Sequence, residues 1–149
     1  MTTIYTPKDV YKFAKDGNVD ELIIALNQGN NSTNWYKDVY DRGNTALHWA
    51  AKKGNMNIVE ILLDRGIEIN SKTNDGETAL HIAASSGNMN IVEILLDRGI
   101  DINSKDNDGW TALHWAASNG DMNIVEILLD RGIDINLSLI HISEPTRPY

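Results

Sequence analysis

The chain has no cysteine among its 149 residues. That absence excludes a disulfide scaffold, a thiolate zinc site, an iron–sulfur cluster and a cysteine nucleophile, and it fits a reducing compartment. Positive charge is scarce as well: Asp and Glu number 21 against 13 Lys and Arg, for a net charge of −8 and a pI near 4.8. Nucleic-acid binders draw most of their affinity from Lys and Arg set against phosphates, so nucleic acid is excluded as a partner and an anionic membrane surface is disfavoured. Met1-Thr2-Thr3-Ile4-Tyr5-Thr6-Pro7-Lys8-Asp9 lacks an apolar run after a basic segment, so no secretory signal is expected. No window approaches the ~18–20 consecutive apolar residues of a spanning helix. The expectation is a cytoplasmic, or cytoplasmic and nuclear, soluble chain without a membrane segment. A chain of this length, 42% hydrophobic, buries well over half of its unfolded surface as one domain and needs no covalent or metal staple.

What is present is repetition. Thr-Ala-Leu-His begins at Thr45, Thr78 and Thr111, 33 residues apart each time. Glycines keep the same period at Gly43, Gly76 and Gly109, at Gly54, Gly87 and Gly120, and at Gly66, Gly99 and Gly132. Segments 54–70, 87–103 and 120–136 are copies that differ from one to the next at a single position, Glu68 against Asp101 and then Asn88 against Asp121.

Each unit reads as helix, turn, helix and hairpin. Thr78 is an N-cap for the short helix that begins Ala79-Leu80-His81. Gly87 then allows a left-handed turn. The second helix, Asn90 to Leu96, is apolar around most of its circumference and must be covered on more than one side. Gly99 ends it. Ile100-Asp101-Ile102-Asn103 alternates apolar and polar before the turn Asn107-Asp108-Gly109, which predicts a short extended hairpin. The pairs Ala50-Ala51, Ala83-Ala84 and Ala116-Ala117 let neighbouring first helices approach closely.

This unit, G-x-T-A-L-H-x-A-A-x-x-G-N/D followed by I-V-x-I-L-L-D-x-G-I-x-I-N, resembles the ankyrin repeat family. The resemblance covers three full repeats at 38–70, 71–103 and 104–136. A divergent capping repeat at about 5–37 keeps Gly17-Asn18 and an apolar second helix but has no Leu-His pair. Four extra residues fall in the Asn30-to-Tyr36 connection, and Ala46, Ala79 and Ala112 stand where the family often has Pro. The implied fold is an all-α solenoid, helix-turn-helix units with short β-hairpin tips, over residues 1–136. Lys8, Lys12, Lys15, Asp16 and Asp20 suit a cap whose outer side meets water.

No set of residues points to chemistry. His48, His81 and His114 recur with the repeat, and the resemblance implies that each bonds the Thr three residues before it (Thr45, Thr78, Thr111) and braces the next loop. Spaced ~10 Å apart along a stack, they cannot share a metal. His81 with Ser85 and His114 with Ser118 are i, i+4 pairs with no orienting carboxylate, and the matching repeat has Lys52. Ser104 to Gly109 resembles part of a calcium loop but lacks a carboxylate at Ser104 and a Glu at Trp115, so it reads as a turn. The sequons at Asn30 and Asn31 are silent without a secretory signal. No enzyme, cofactor or metal is expected.

Variation inside the repeats is the informative feature. The second helices are near copies, whereas the tips vary as Asp41, Arg42, Asn44; Asn74, Asp75, Glu77; and Asn107, Asp108, Trp110. The first helices vary as Trp49, Lys52, Lys53; Ile82, Ser85, Ser86; and Trp115, Ser118, Asn119. In the family these positions line a concave surface that grips a partner protein. The residues named, Ile82 apart, are therefore the candidate contacts. Acidic Asp75, Glu77, Asp106 and Asp108 predict a partner of basic character, and a monomer is expected. For Trp110 two readings stand, a contact hot spot or a ring folded on its own hairpin. Trp49 and Trp115 read as half-buried packing. Trp35, Tyr36 and Tyr40 either cap the loop or extend the surface. A rival reading makes the chain the recognition fragment of a larger enzyme, channel or effector. After Asn136 the pattern stops, and 137–149 resembles translated sequencing-adaptor read-through. It is expected to be non-native or disordered, behind a truncated repeat stack.

Overall fold

A computed structural model describes residues 3–28 and 36–135. Four helical pairs follow in order, two helices to each repeat. They are α1 (Pro7–Asp16) with α2 (Val19–Asn27), α3 (Ala46–Lys53) with α4 (Met56–Asp64), α5 (Ala79–Ser85) with α6 (Met89–Asp97), and α7 (Ala112–Ser118) with α8 (Met122–Asp130). A two-residue ladder, β1 (Lys37–Asp38) against β2 (Asn44–Thr45), precedes α3. The chain is an all-α repeat solenoid. Trp35, both sequons, most of the four-residue insertion and the tail 137–149 lie outside the described residues.

The first helices α1, α3, α5 and α7 stack in one row, and α2, α4, α6 and α8 in a second row behind it. Small residues set the spacing of the first row: Ala50, Ala51, Ala83, Ala84 and Ala116 are fully buried. The second row supplies the bulk, with Leu22, Ile58, Leu62, Ile91, Leu95, Ile124 and Leu128 sealed from water. One core runs through all four units, so no unit covers its own apolar flank.

Each first helix starts on a reciprocal cap. Thr45 Oγ1 accepts from the His48 amide while His48 Nδ1 accepts from the Thr45 amide at 3.0 Å. Thr78 with His81 and Thr111 with His114 repeat the arrangement. The divergent first unit reaches the same geometry with different chemistry. There the Asp9 carboxylate accepts from the Thr6 amide at 2.8 Å, and Pro7 starts the helix.

The hairpin tips close differently from one repeat to the next. Only the first forms a ladder. In the second and third, two backbone bonds close each tip, Thr73 N to Glu77 O with Gly76 N to Thr73 O, and Asp106 N to Trp110 O with Gly109 N to Asp106 O. A side chain completes the closure. Thr73 Oγ1 accepts from the amides of Asp75 and Glu77, and Asp106 Oδ1 from those of Asp108 and Trp110. The arms expected at Ile100 to Asn103 are thus turns, with Ile100 buried as a core residue. Successive tips are tied by Asn74 N to Arg42 O and by Asn107 N to Asp75 O. Gly76 sits at this seam with φ +79, and a Cβ there would lie 2.9 Å from the Asn107 backbone nitrogen.

Candidate interaction surface

The surface is built from the histidines outward. A backbone amide can only donate, so Nδ1 of each capping histidine must be unprotonated and Nε2 carries the hydrogen. His48 Nε2 donates to Ser71 O and Glu77 O at 3.0 and 3.1 Å, and His81 Nε2 donates to Trp110 O at 2.9 Å. Each ring therefore pins the tip of the following repeat at the position whose side chain varies, Glu77 or Trp110. Burial pushes the His48 pKa down to about 4 and lowers that of His81, because a charged imidazolium is poorly solvated there. The rings work as neutral braces. Among the described residues no group of His, Cys, Asp or Glu could hold a metal.

The face formed by tips and first helices carries charge of both signs, unevenly spread. Its C-terminal half holds a notch of about 300 Å³ lined by Arg42, Asp75, Glu77, Asp106, Asp108 and Trp115. Arg42 donates to Asp75 at 2.9 Å across the mouth. Burial, then the nearby charges of Asp75 and Asp106, raise the pKa of half-buried Glu77. The Trp115 indole donates to Asp106 Oδ2 at 3.0 Å, and its ring meets Trp110 edge-on at 4.9 Å.

The N-terminal half centres on Trp49. Its indole N–H lies 2.8 Å from Tyr11 Oη and 3.1 Å from Asp41 Oδ2. Asp41 also accepts from Tyr11 at 2.9 Å and pairs with Lys15 at 3.3 Å. Desolvation works to raise the Asp41 pKa, but the hydrogen bonds from Tyr11 and Lys15 outweigh it and hold the carboxyl below its usual value. Lys15, Lys52 and Lys53 approach the Trp49 ring at 4.6, 5.2 and 5.7 Å.

Residues 38–83 match the family model for ankyrin repeats in many copies, and residues 69–138 match the model for ankyrin repeats in three copies. The chain belongs to the ankyrin repeat family. A 69-residue stretch is 36% identical to the integrin-linked protein kinase homolog pat-4 of Caenorhabditis elegans; it amounts to 46% of this chain and 14% of that protein. Ankyrin repeats are generally protein-interaction modules. No helix among the described residues is long and apolar enough to cross a membrane.

Within this ankyrin stack the candidate contacts divide into three groups. Lys52, Lys53, Ser86, Asp108 and Ser118 are exposed, with Glu77, Trp49, Trp110 and Trp115 half-buried beside them. A second group is spent on ties between repeats: Arg42 on Asp75, Asn107 on Asn74 O, and Asn119 on Ser85 O. A third turns its polar atoms inward, with Asn44 on Asp41 O, Ser85 Oγ on Ile82 O, and Asp41 on Tyr11 and Trp49.

Asp106 is not the exposed acidic tip that its place in the hairpin suggests. It is 8% exposed, because one carboxylate oxygen closes the loop and the other holds Trp115. Trp110 folds back, its ring stacked on His114 at 5.4 Å and against Trp115. Tyr36 packs edge-on against Tyr11 at 5.1 Å, while Tyr40 stands 96% exposed. Tyr40 is extruded because the first tip closes from Asp38 O to Gly43 N, two residues earlier than the Thr73 and Asp106 closures. Reading the sequence missed Tyr11 and Lys15 as part of this face. Tyr11 falls in register with the capping His48 and has no counterpart of its own type; Lys15, two residues before Gly17, is in register with Lys52 before Gly54, and that match was the available signal.

Proposed function

We propose that this chain is a non-enzymatic protein–protein interaction module that grips its partner on the concave face of tips and first helices. The observation carrying the proposal is the notch between the second and third tips. There Asp75, Glu77 and Asp108 stand with buried Asp106 against a single cation, Arg42, and an indole forms the wall. Excess carboxylate beside an aromatic ring suits a Lys or Arg side chain of a partner with basic character. Tips braced by His48 and His81 lose little freedom on binding, which favours affinity. The test is affinity capture with partner identification by mass spectrometry, repeated with Glu77→Lys/Asp108→Lys and with Glu60→Lys on the second-helix row. Partner loss confined to the concave variant supports the reading; loss confined to Glu60→Lys refutes it.

A second reading, a recognition fragment of a larger multidomain protein, is favoured by the flank of α7 and α8. Ala117 is exposed and Val125 half-buried, whereas the equivalent Ala84 and Val92 are sealed. Full-length transcript sequencing separates the two, since a downstream domain would appear in frame.

A further inference from the structure

The cluster around Trp49 has more positive charge than its surroundings balance. Lys15, Lys52 and Lys53 share one ring, and the carboxylate among them, Asp41, already engages Tyr11, Trp49 and Lys15. Among the described residues neither Lys52 nor Lys53 has an ion-pair partner; Glu77 feels Lys52 only at longer range. Both ammonium groups are exposed at the end of α3, on a chain whose net charge is −8. The indole N–H of Trp49 is occupied, which leaves its ring as an apolar platform beneath two unneutralised cations.

We infer that the Trp49, Lys52 and Lys53 cluster is a second subsite on the concave face that takes a glutamate-bearing acidic stretch of the partner polypeptide. The carboxylate pairs with Lys52 and Lys53 while the side-chain methylenes lie on the indole. Together with the acidic notch under the second and third tips, this gives the groove a direction. A bound segment lies with its acidic part over the first full repeat and its basic part over the next two. The inference rests on the concave face being the gripping face.

The test uses the whole chain, labelled with 15N, and two synthetic probes, an oligoglutamate and an oligoarginine peptide. Oligoglutamate is expected to shift the Trp49 indole and the Lys52 and Lys53 amides, leaving Trp110 and Asp108 unmoved. Lys52→Glu/Lys53→Glu, at exposed positions, should fold normally and weaken that binding by about tenfold or more. A single peptide joining an acidic to a basic block should bind more tightly than either block alone. If oligoarginine shifts Glu77 and Trp115 while oligoglutamate leaves Trp49, Lys52 and Lys53 unmoved, the second subsite is overturned and the gripping face stands. Undiminished oligoglutamate binding by the charge-reversed variant overturns the subsite as well. If both peptides shift only α4 and α6, the concave reading itself falls.

Discussion

Replacing His48 by glutamine should flatten the dependence of stability on pH, and the expected size follows from the ring's surroundings. His48 is 1% exposed, its Nδ1 accepts from Thr45, and its pKa stands at about 4 against 6.5 for a free histidine. A group whose folded pKa lies below its unfolded value takes up protons when the chain unfolds. Its contribution is complete above pH 6.5 and drains away as the pH falls toward 4. The whole gap corresponds to about 3 kcal/mol, of which about 2 is lost between roughly pH 7.5 and pH 5. For a chain near this size that lowers Tm by roughly 4–8 °C. His81, lowered by burial in the same way, adds loss of the same sign. Glu77, raised by burial, works the other way, favouring the fold as it takes up a proton. Thermal unfolding followed by circular dichroism across this window measures the slope. His48→Gln should start less stable at neutral pH, having lost its bonds to Ser71 O and Glu77 O, and then fall less steeply than the parent. Parallel profiles for variant and parent, or an NMR titration midpoint for His48 near 6.5, would refute the neutral-brace account.

Gly76→Ala should destabilise by about 1–3 kcal/mol, since the residue holds φ +79 and the new Cβ meets the Asn107 backbone; denaturant midpoints measure this, and an unchanged midpoint contradicts the seam geometry. Asp106→Asn keeps an oxygen for the loop amides but turns an NH₂ toward the Trp115 indole N–H, two donors face to face, for a loss of about 1–3 kcal/mol. Tryptophan fluorescence during urea unfolding reports both the loss and the altered ring. Trp110→Ala should lower Tm by a few degrees, about 1 kcal/mol of ring packing on His114 and Trp115. A melting temperature equal to the parent's would return Trp110 to the role of a free contact residue.

The 33-residue period, the Thr-to-His caps, the alanine pairs and the all-round apolar second helices were legible in the sequence. Each is encoded by residues three or four apart on one helix or by a copy one repeat away. Such local and periodic constraints determine the element order, the stacking and the placing of the variable positions on tips and first helices. Which variable positions remain free was decided by tertiary contacts that obey no period. Tyr11 and Lys15 reach across 30 and 26 positions to occupy Asp41, Asp106 is drawn inward by the Trp115 indole, and Trp110 settles on His114. Tyr40 is pushed outward because Asp38, two positions early, closes the first tip. A carboxylate or an indole reads the same in a sequence whether it faces water or a donor. Only the packed neighbour, supplied by another repeat or by a loop's own closure, determines whether its polar atoms are already satisfied.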